Sequence, residues 1–84
     1  MHYVYVLLSE TDKRLYIGCT RDLRQRLKLH QTGKVDSTKR RLPLALIYYE
    51  ACKDERDAFR REKYLKTTYG HRYLKSRLGY YFTG

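Results

Sequence analysis

Two short runs near the N-terminus place apolar and aromatic side chains with a period of two, and the chain then shifts to helical spacing. Residues 2 to 9 and 14 to 19, rich in Tyr, Val, Ile and Leu, predict a β-hairpin that turns through Glu10-Thr11-Asp12-Lys13. In its first strand Tyr3 and Tyr5 share one face while Val4, Val6 and Leu8 share the other; in the second, Tyr16 and Gly18 oppose Leu15 and Ile17. Pairing the strands brings two phenols together, with a glycine leaving room beside them. Thr20 or Asp22 then opens a helix, Leu23 and Leu27 supply its apolar seam and Gly33 its stop, which predicts a helix over about residues 21 to 32.

The segment from Lys34 to Arg41 is polar and basic, with turn-favouring Asp36 and Ser37, and Pro43 introduces the apolar run Leu44-Ala45-Leu46-Ile47-Tyr48-Tyr49. That run predicts a third strand buried on both faces. A second helix is expected from Asp54 or Glu55 to about Tyr69-Gly70, with Gly70 separating it from a short basic helix over 71 to 78 anchored by Tyr73, Leu74 and Leu78. The aromatic tail Tyr80-Tyr81-Phe82 is expected to pack back on the body. The pattern is that of a small α/β domain: a three-stranded sheet flanked by about three helices.

Length and charge narrow the function. A chain of 84 residues makes one domain, spanning residues 1–84, and a domain of this size buries only about 60% of its unfolded surface. Lys and Arg number 19 against 9 Asp and Glu, a formal charge of +10. That excess on so small a body attracts polyanions, with nucleic acid the first candidate. Hydrophobic runs fall far short of the roughly 20 residues needed to span a bilayer, so no membrane partner is expected. The start of the chain lacks the pattern of a secretory signal, which points to a cytoplasmic protein. Cys19 and Cys52 make neither a disulfide framework nor a zinc constellation and read as reduced, partly buried thiols.

Several side chains are placed where packing alone does not call for them. Ala58, Phe59, Glu62 and Leu65 form one stripe of the second helix, so Glu62 falls inside an apolar face. A carboxylate there needs a cation or a metal: an ion pair with Arg26 is one reading, a bound ion the other. Arg26 and His30 lie one turn apart beside the Leu23 and Leu27 seam, aimed toward the tyrosine-bearing sheet. A guanidinium there can stabilise charge on a phosphate, and the histidine can contact a phosphate, orient a tyrosine or simply pack. Tyrosine ionises near pH 10 and acts as a base near neutrality only beside cations. Either Tyr5 or Tyr16 fits that role. Tyr3, Tyr48, Tyr49, Tyr64, Tyr73, Tyr80 and Tyr81 read as packing residues, and Glu50, Asp54 and Glu55 as solvated or capping ones.

Tyr3-Val4-Tyr5 and Tyr16-Ile17-Gly18, followed in order by Arg26, His30 and Glu62, resemble the GIY-YIG nuclease family, whose name records the two tripeptides. The likeness spans nearly the whole chain, which looks like a small stand-alone member similar to the N-terminal nuclease domain of the incision component of the ABC excinuclease. The resemblance implies phosphodiester hydrolysis at a site of Tyr5, Tyr16, Arg26, His30 and Glu62, with Glu62 holding Mg²⁺, for which Mn²⁺ can substitute. The family commonly carries an asparagine near the start of its last helix. This sequence contains no Asn, and Ser76 stands in that place.

Arg21, Arg24, Lys28, Lys34, Lys39, Arg40, Arg41, Lys66 and Arg72 are the expected phosphate contacts, drawn from basic segments that would flank the cleft. No base-reading module accompanies them, so low sequence specificity is expected. The leading reading is a Mg²⁺-dependent DNA endonuclease acting on branched or single-stranded substrates, with a protein partner as a source of specificity. The alternative is a nucleic-acid-binding module of the same fold with weak or no cleavage. An RNA-associated basic protein is a third reading.

Overall fold

The computed structural model describes all 84 residues. Strand β1 (His2–Ser9) pairs antiparallel with β2 (Leu15–Thr20) on one side and with β3 (Leu44–Cys52) on the other, giving the order β2-β1-β3. Helix α1 (Leu23–Gln31) follows the hairpin, and α2 (Glu55–Leu65), α3 (Thr68–Arg77) and the one-turn α4 (Gly79–Thr83) follow β3. This is the α/β architecture expected, with one short helix more.

The alternation read along β1 sorts its side chains into two cores. Val4 and Val6 face α2 and α3, where they meet Ile17, Ala58, Leu65 and Leu74. Tyr5 and Leu7 face the other way, toward Leu44, with Leu23 and Leu27 of α1 packed beside them. The register sets Tyr5 opposite Gly18 on β2 and opposite Tyr49 on β3, with a bulge in the β3 pairing between Val6 and Leu7.

Central position, rather than an apolar run, decides which strand is buried. Val4, Val6 and Leu7 of β1 are fully buried, whereas β3 is an edge strand whose Tyr49 remains 53% exposed. The expectation of a β3 covered on both faces is therefore corrected: α1 covers only part of the sheet on its side. Phe59 is likewise exposed, so the buried stripe of α2 narrows to Ala58 and Leu65.

The break between α2 and α3 lies at Lys66 and Thr67, not at Gly70. The Thr67 hydroxyl caps α3 by accepting from the Gly70 amide at 3.1 Å. Gly70 sits in the first turn of α3 for a packing reason: a Cβ there would collide with the Tyr64 carbonyl and the Leu65 backbone. The tail also departs from expectation. Tyr80 is 95% exposed and Tyr81 and Phe82 pair with each other at 5.4 Å, and of the three only Phe82 lines a cleft on the body, beside Leu8 and Leu15.

Gly70→Ala should destabilise the domain by about 1–3 kcal/mol through forced separation of α2 and α3. Gly79→Ala, where no atom lies within 4 Å of the added methyl, serves as the control and should be near neutral. Urea denaturation of both variants measures the difference.

Candidate active site

Tyr5 is a phenol carried on the central strand, so burial comes with its position; it is only 1% exposed. Gly18 across the strand pair makes room for it, since a Cβ at Gly18 would stand 2.5 Å from the Tyr5 hydroxyl oxygen. A buried hydroxyl needs partners. The Tyr5 oxygen lies 2.8 Å from His30 Nε2, and Arg26 Nε–H donates to it at 3.5 Å. His30, itself fully buried, has its Nδ1 2.8 Å from Thr38 Oγ1.

The proton positions follow from the donor-only guanidinium. Because Arg26 can only donate, the Tyr5 oxygen accepts from it and gives its own proton to His30 Nε2. Nδ1–H of His30 then donates to Thr38, which makes the imidazole neutral. The electrostatics agree. Burial first, and then the charge of Arg26, pull the His30 pKa below its usual value. Burial also raises the Tyr5 pKa, against the lowering effect of Arg26.

Tyr16 stands beside this row on the edge strand. Its ring lies 6.4 Å from that of Tyr5 and 5.0 Å from His30, and Ser37 donates to its hydroxyl at 3.4 Å. Tyr16 is half-buried where Tyr5 is enclosed, so its oxygen remains accessible. Arg26 serves both phenols: its pKa is raised first by the bond to Tyr5, then by the neighbouring charges, Tyr16 included.

The segment after α1 supplies both Thr38 and Ser37, and it is clamped to the hairpin turn. Ser9 Oγ donates to the Arg41 carbonyl at 2.6 Å, and Arg41 Nε reaches Asp12 at 2.7 Å. Arg41 also donates to the carbonyls of Arg14 and Leu15, and it holds the Asp12 carboxyl down to about 2. Arg41 is thus a structural strap and not an open phosphate contact. Sequence reasoning gave Thr38 no role and read Ser37 only as a turn residue. The only signal for them was that a buried histidine must have a second polar neighbour.

Glu62 lies on α2 with its side chain 21% exposed, and it pairs with Lys66 at 3.2 Å rather than with Arg26. It stands beside Cys19 on β2, and together with burial, the larger cause, it pushes that thiol up to about 12. Its charge is the weakest of the influences on Tyr5, and α2 carries it on the Val4 and Val6 side of the sheet, whereas Tyr5 and Tyr16 lie on the α1 side, so, against expectation, Glu62 does not join the row of phenols. No three His, Cys, Asp or Glu side chains gather into a protein-only metal cage. A single carboxylate suits Mg²⁺, which keeps several waters and takes further oxygens from a substrate phosphate. The two cysteines are free and half-buried, as expected.

The remaining candidates divide sharply. Arg21, Arg24 and Lys28 on or beside α1, and Lys34 and Arg40 after it, are exposed. None of them pairs with a carboxylate. Lys39 is partnered by Asp36 at 3.4 Å, and Arg72 lies over the Tyr69 ring at 5.9 Å. The second helix is largely self-neutralised: Arg60 pairs with Asp57, Lys66 with Glu62, and Arg61 with Glu50. Glu50 is therefore half of a clasp between β3 and α2, not a solvated or capping residue. His30 is enclosed and cannot reach a phosphate. Ser76 is exposed with no side-chain hydrogen bond, so it holds nothing at the Glu62 end of the site.

The catalytic domain model of the GIY-YIG family matches residues 1–75. The chain belongs to the GIY-YIG family. It is 40% identical over 67 residues to a UPF0213 protein of Clostridium perfringens, covering 79% of this chain and 71% of that one. A UPF0213 protein of Streptococcus agalactiae serotype V is 43% identical over 65 residues, covering 76% and 73%. One from Bacillus licheniformis is 44% identical over 66 residues, covering 77% and 67%. No solved structure matches. The GIY-YIG match stops one residue short of Ser76.

The buried neutral His30 makes stability depend on pH. Its folded pKa lies below the unfolded value of 6.5, so its contribution is intact above 6.5 and is lost as the pH falls through the lower folded value. Tm should therefore drop as the pH is taken from about 7.5 to 5, and His30→Gln should flatten that slope while lowering Tm at the higher pH. Calorimetry across the pH series measures both.

Proposed function

We propose that this GIY-YIG nuclease domain is a divalent-metal-dependent endonuclease that hydrolyses DNA phosphodiester bonds with low sequence specificity. The observation that carries the reading is Arg26: a half-buried guanidinium with no carboxylate partner, bonded to Tyr5 and set beside Tyr16. A cation kept free of acids at the centre of a row of phenols is arranged for an anionic substrate. Arg26 contacts the scissile phosphate and stabilises the charge that develops as water attacks phosphorus.

Tyr16 is the better candidate for the base, because its oxygen is accessible while Tyr5 is enclosed and its pKa is raised. Tyr5 acts as a positioning residue that holds Arg26 on one side and leans on His30 and Thr38 on the other. Glu62 would hold Mg²⁺ or Mn²⁺, which would supply Lewis-acid stabilisation of the phosphate oxygens. Arg21, Arg24, Lys28, Lys34 and Arg40 position the backbone without reading bases. No helix is long and apolar enough to cross a membrane. A cytoplasmic location and a partner that adds specificity complete the proposal.

The rival reading, a binding module that does not cut, is favoured by the Glu62 to Lys66 pair and the unpartnered Ser76. Nicking of supercoiled plasmid in Mg²⁺ or Mn²⁺ separates the two. Arg26→Ala should lower the cleavage rate by about 100- to 1,000-fold with a much smaller loss of binding. Tyr16→Phe should cost about 100- to 10,000-fold in rate. Equal losses of rate and affinity for Arg26→Ala would make it an ordinary phosphate anchor, and a wild-type protein inert in both metals would leave the binding module as the function.

A further inference from the structure

The largest cavity of the molecule is not the row of phenols itself. It is an open groove of about 480 Å³ between α1 and the β1–β3 side of the sheet, lined by Tyr3, Tyr49, Leu23, Leu27, Leu46, Arg21 and Arg24, with Asp22 at its rim. It exists because α1 covers only part of its sheet face. The Asp22 carboxylate is occupied as the cap of α1, accepting from the Gln25 amide at 3.0 Å. The two arginines have no such commitment.

Two aromatic rings floor this groove on adjacent strands. Tyr3 and Tyr49 meet edge to face, with centroids 6.1 Å apart and planes at 61°. Tyr49 is 53% exposed, so a ring face is left for a ligand. A flat π-face flanked by uncompensated guanidiniums matches a nucleobase and its phosphate, and a cavity of this volume takes one nucleotide. In a continuous duplex each base face is covered by its neighbours, so only an unpaired nucleotide can offer one.

We infer that this groove binds an unpaired nucleotide, its base stacked on Tyr49 and its phosphate held by Arg21 and Arg24. The inference rests on the nuclease reading for its consequence: Arg26 lies on α1 between the groove-lining Leu23 and Leu27, one turn before the buried His30. A strand anchored on Tyr49 is thus led along α1 toward Arg26, and the substrate class is DNA with an unpaired segment next to the bond that is cut.

The test is a binding measurement in EDTA, so that it stands whether or not the protein cleaves. Fluorescence anisotropy compares a labelled blunt duplex with the same duplex bearing a single-stranded tail. Wild type should prefer the tailed DNA. Tyr49→Ala should weaken tailed binding by about 5- to 100-fold, the value of one stacked base, and change blunt binding by less than about twofold on the same stacking argument. Tyr49→Phe should retain the preference and Tyr49→Leu should lose it, with circular dichroism confirming that each variant is folded. Equal effects on both DNAs, no effect on either, or full retention by Tyr49→Leu would overturn the inference. Sedimentation showing a dimer that Tyr49→Ala dissolves would assign the groove to a second copy of the chain and overturn it equally.

Discussion

The arrangement of this site depends on one constraint: a phenol buried on the central strand must keep its hydroxyl bonded. Tyr5 is enclosed because β1 lies between β2 and β3. Leaving its hydroxyl without a partner would cost on the order of 1–3 kcal/mol, a large share of the stability available to so small a domain. The chain meets the constraint with His30 and Arg26 from α1 and with Thr38 behind the histidine. Gly18 is part of the same solution, since any side chain there would occupy the space of the hydroxyl. The demand for satisfied bonds therefore fixes where α1 sits, which way Arg26 points and where the following loop must return.

Pairing separates the basic residues into those that brace the fold and those left open. Arg61 chelates Glu50 with contacts of 3.0 and 3.1 Å and lies over the Tyr73 ring at 4.7 Å. Arg60 and Lys66 pair locally along α2, with Asp57 and Glu62, while Lys63 on α2 and Arg72, Lys75 and Arg77 on α3 have no acidic partner. On the α1 side, Arg21, Arg24, Arg26 and Lys28 have no acidic partner. The net charge of +10 is thus a poor guide to where a polyanion binds. The unpaired fraction is what generates the local field, and the part of it carried by α1 lies beside the phenols.

The sequence disclosed the hairpin, the face alternation of β1, the start of α1 and the grouping of Tyr5, Tyr16, Arg26 and His30, because each rests on short-range periodicity or a local cap. What it concealed depends on long-range geometry. Leu44 to Tyr49 reads as a buried run, but strand order makes β3 an edge. Gly70 reads as a breaker, yet it marks a close approach of two helices whose cap is Thr67. Arg41 resembles a phosphate contact until its partner Asp12, 29 residues away, is brought alongside, and Glu50 reads as solvated until Arg61, 11 residues away, is brought to it. Thr38 carries no local signal, because its role comes from a histidine eight residues earlier. Glu62 does lie on the inner stripe of α2, while its counterion is Lys66, a turn away on the same helix.

Two tyrosines of one hairpin end with different chemistry, and strand order is the cause. Tyr5 and Tyr16 share a face and lie within 6.4 Å ring to ring, so the same guanidinium reaches both. Tyr5 is on the central strand, where burial outweighs Arg26 and keeps the phenol protonated. Its proton is already given to His30, and its oxygen already accepts from Arg26. Tyr16 is on the edge strand, where its neighbours Ser37 and Arg26 both act as donors toward its oxygen, leaving its own proton uncommitted. A group that is to exchange a proton with water needs an open path and no fixed acceptor for that proton, and of the two only Tyr16 has both. The proposed division into a positioning phenol and a reacting phenol thus follows from which strand of the hairpin β3 pairs with. Had β3 paired with β2 instead, Tyr16 would lie on the central strand, and the burial that now silences Tyr5 would fall on it.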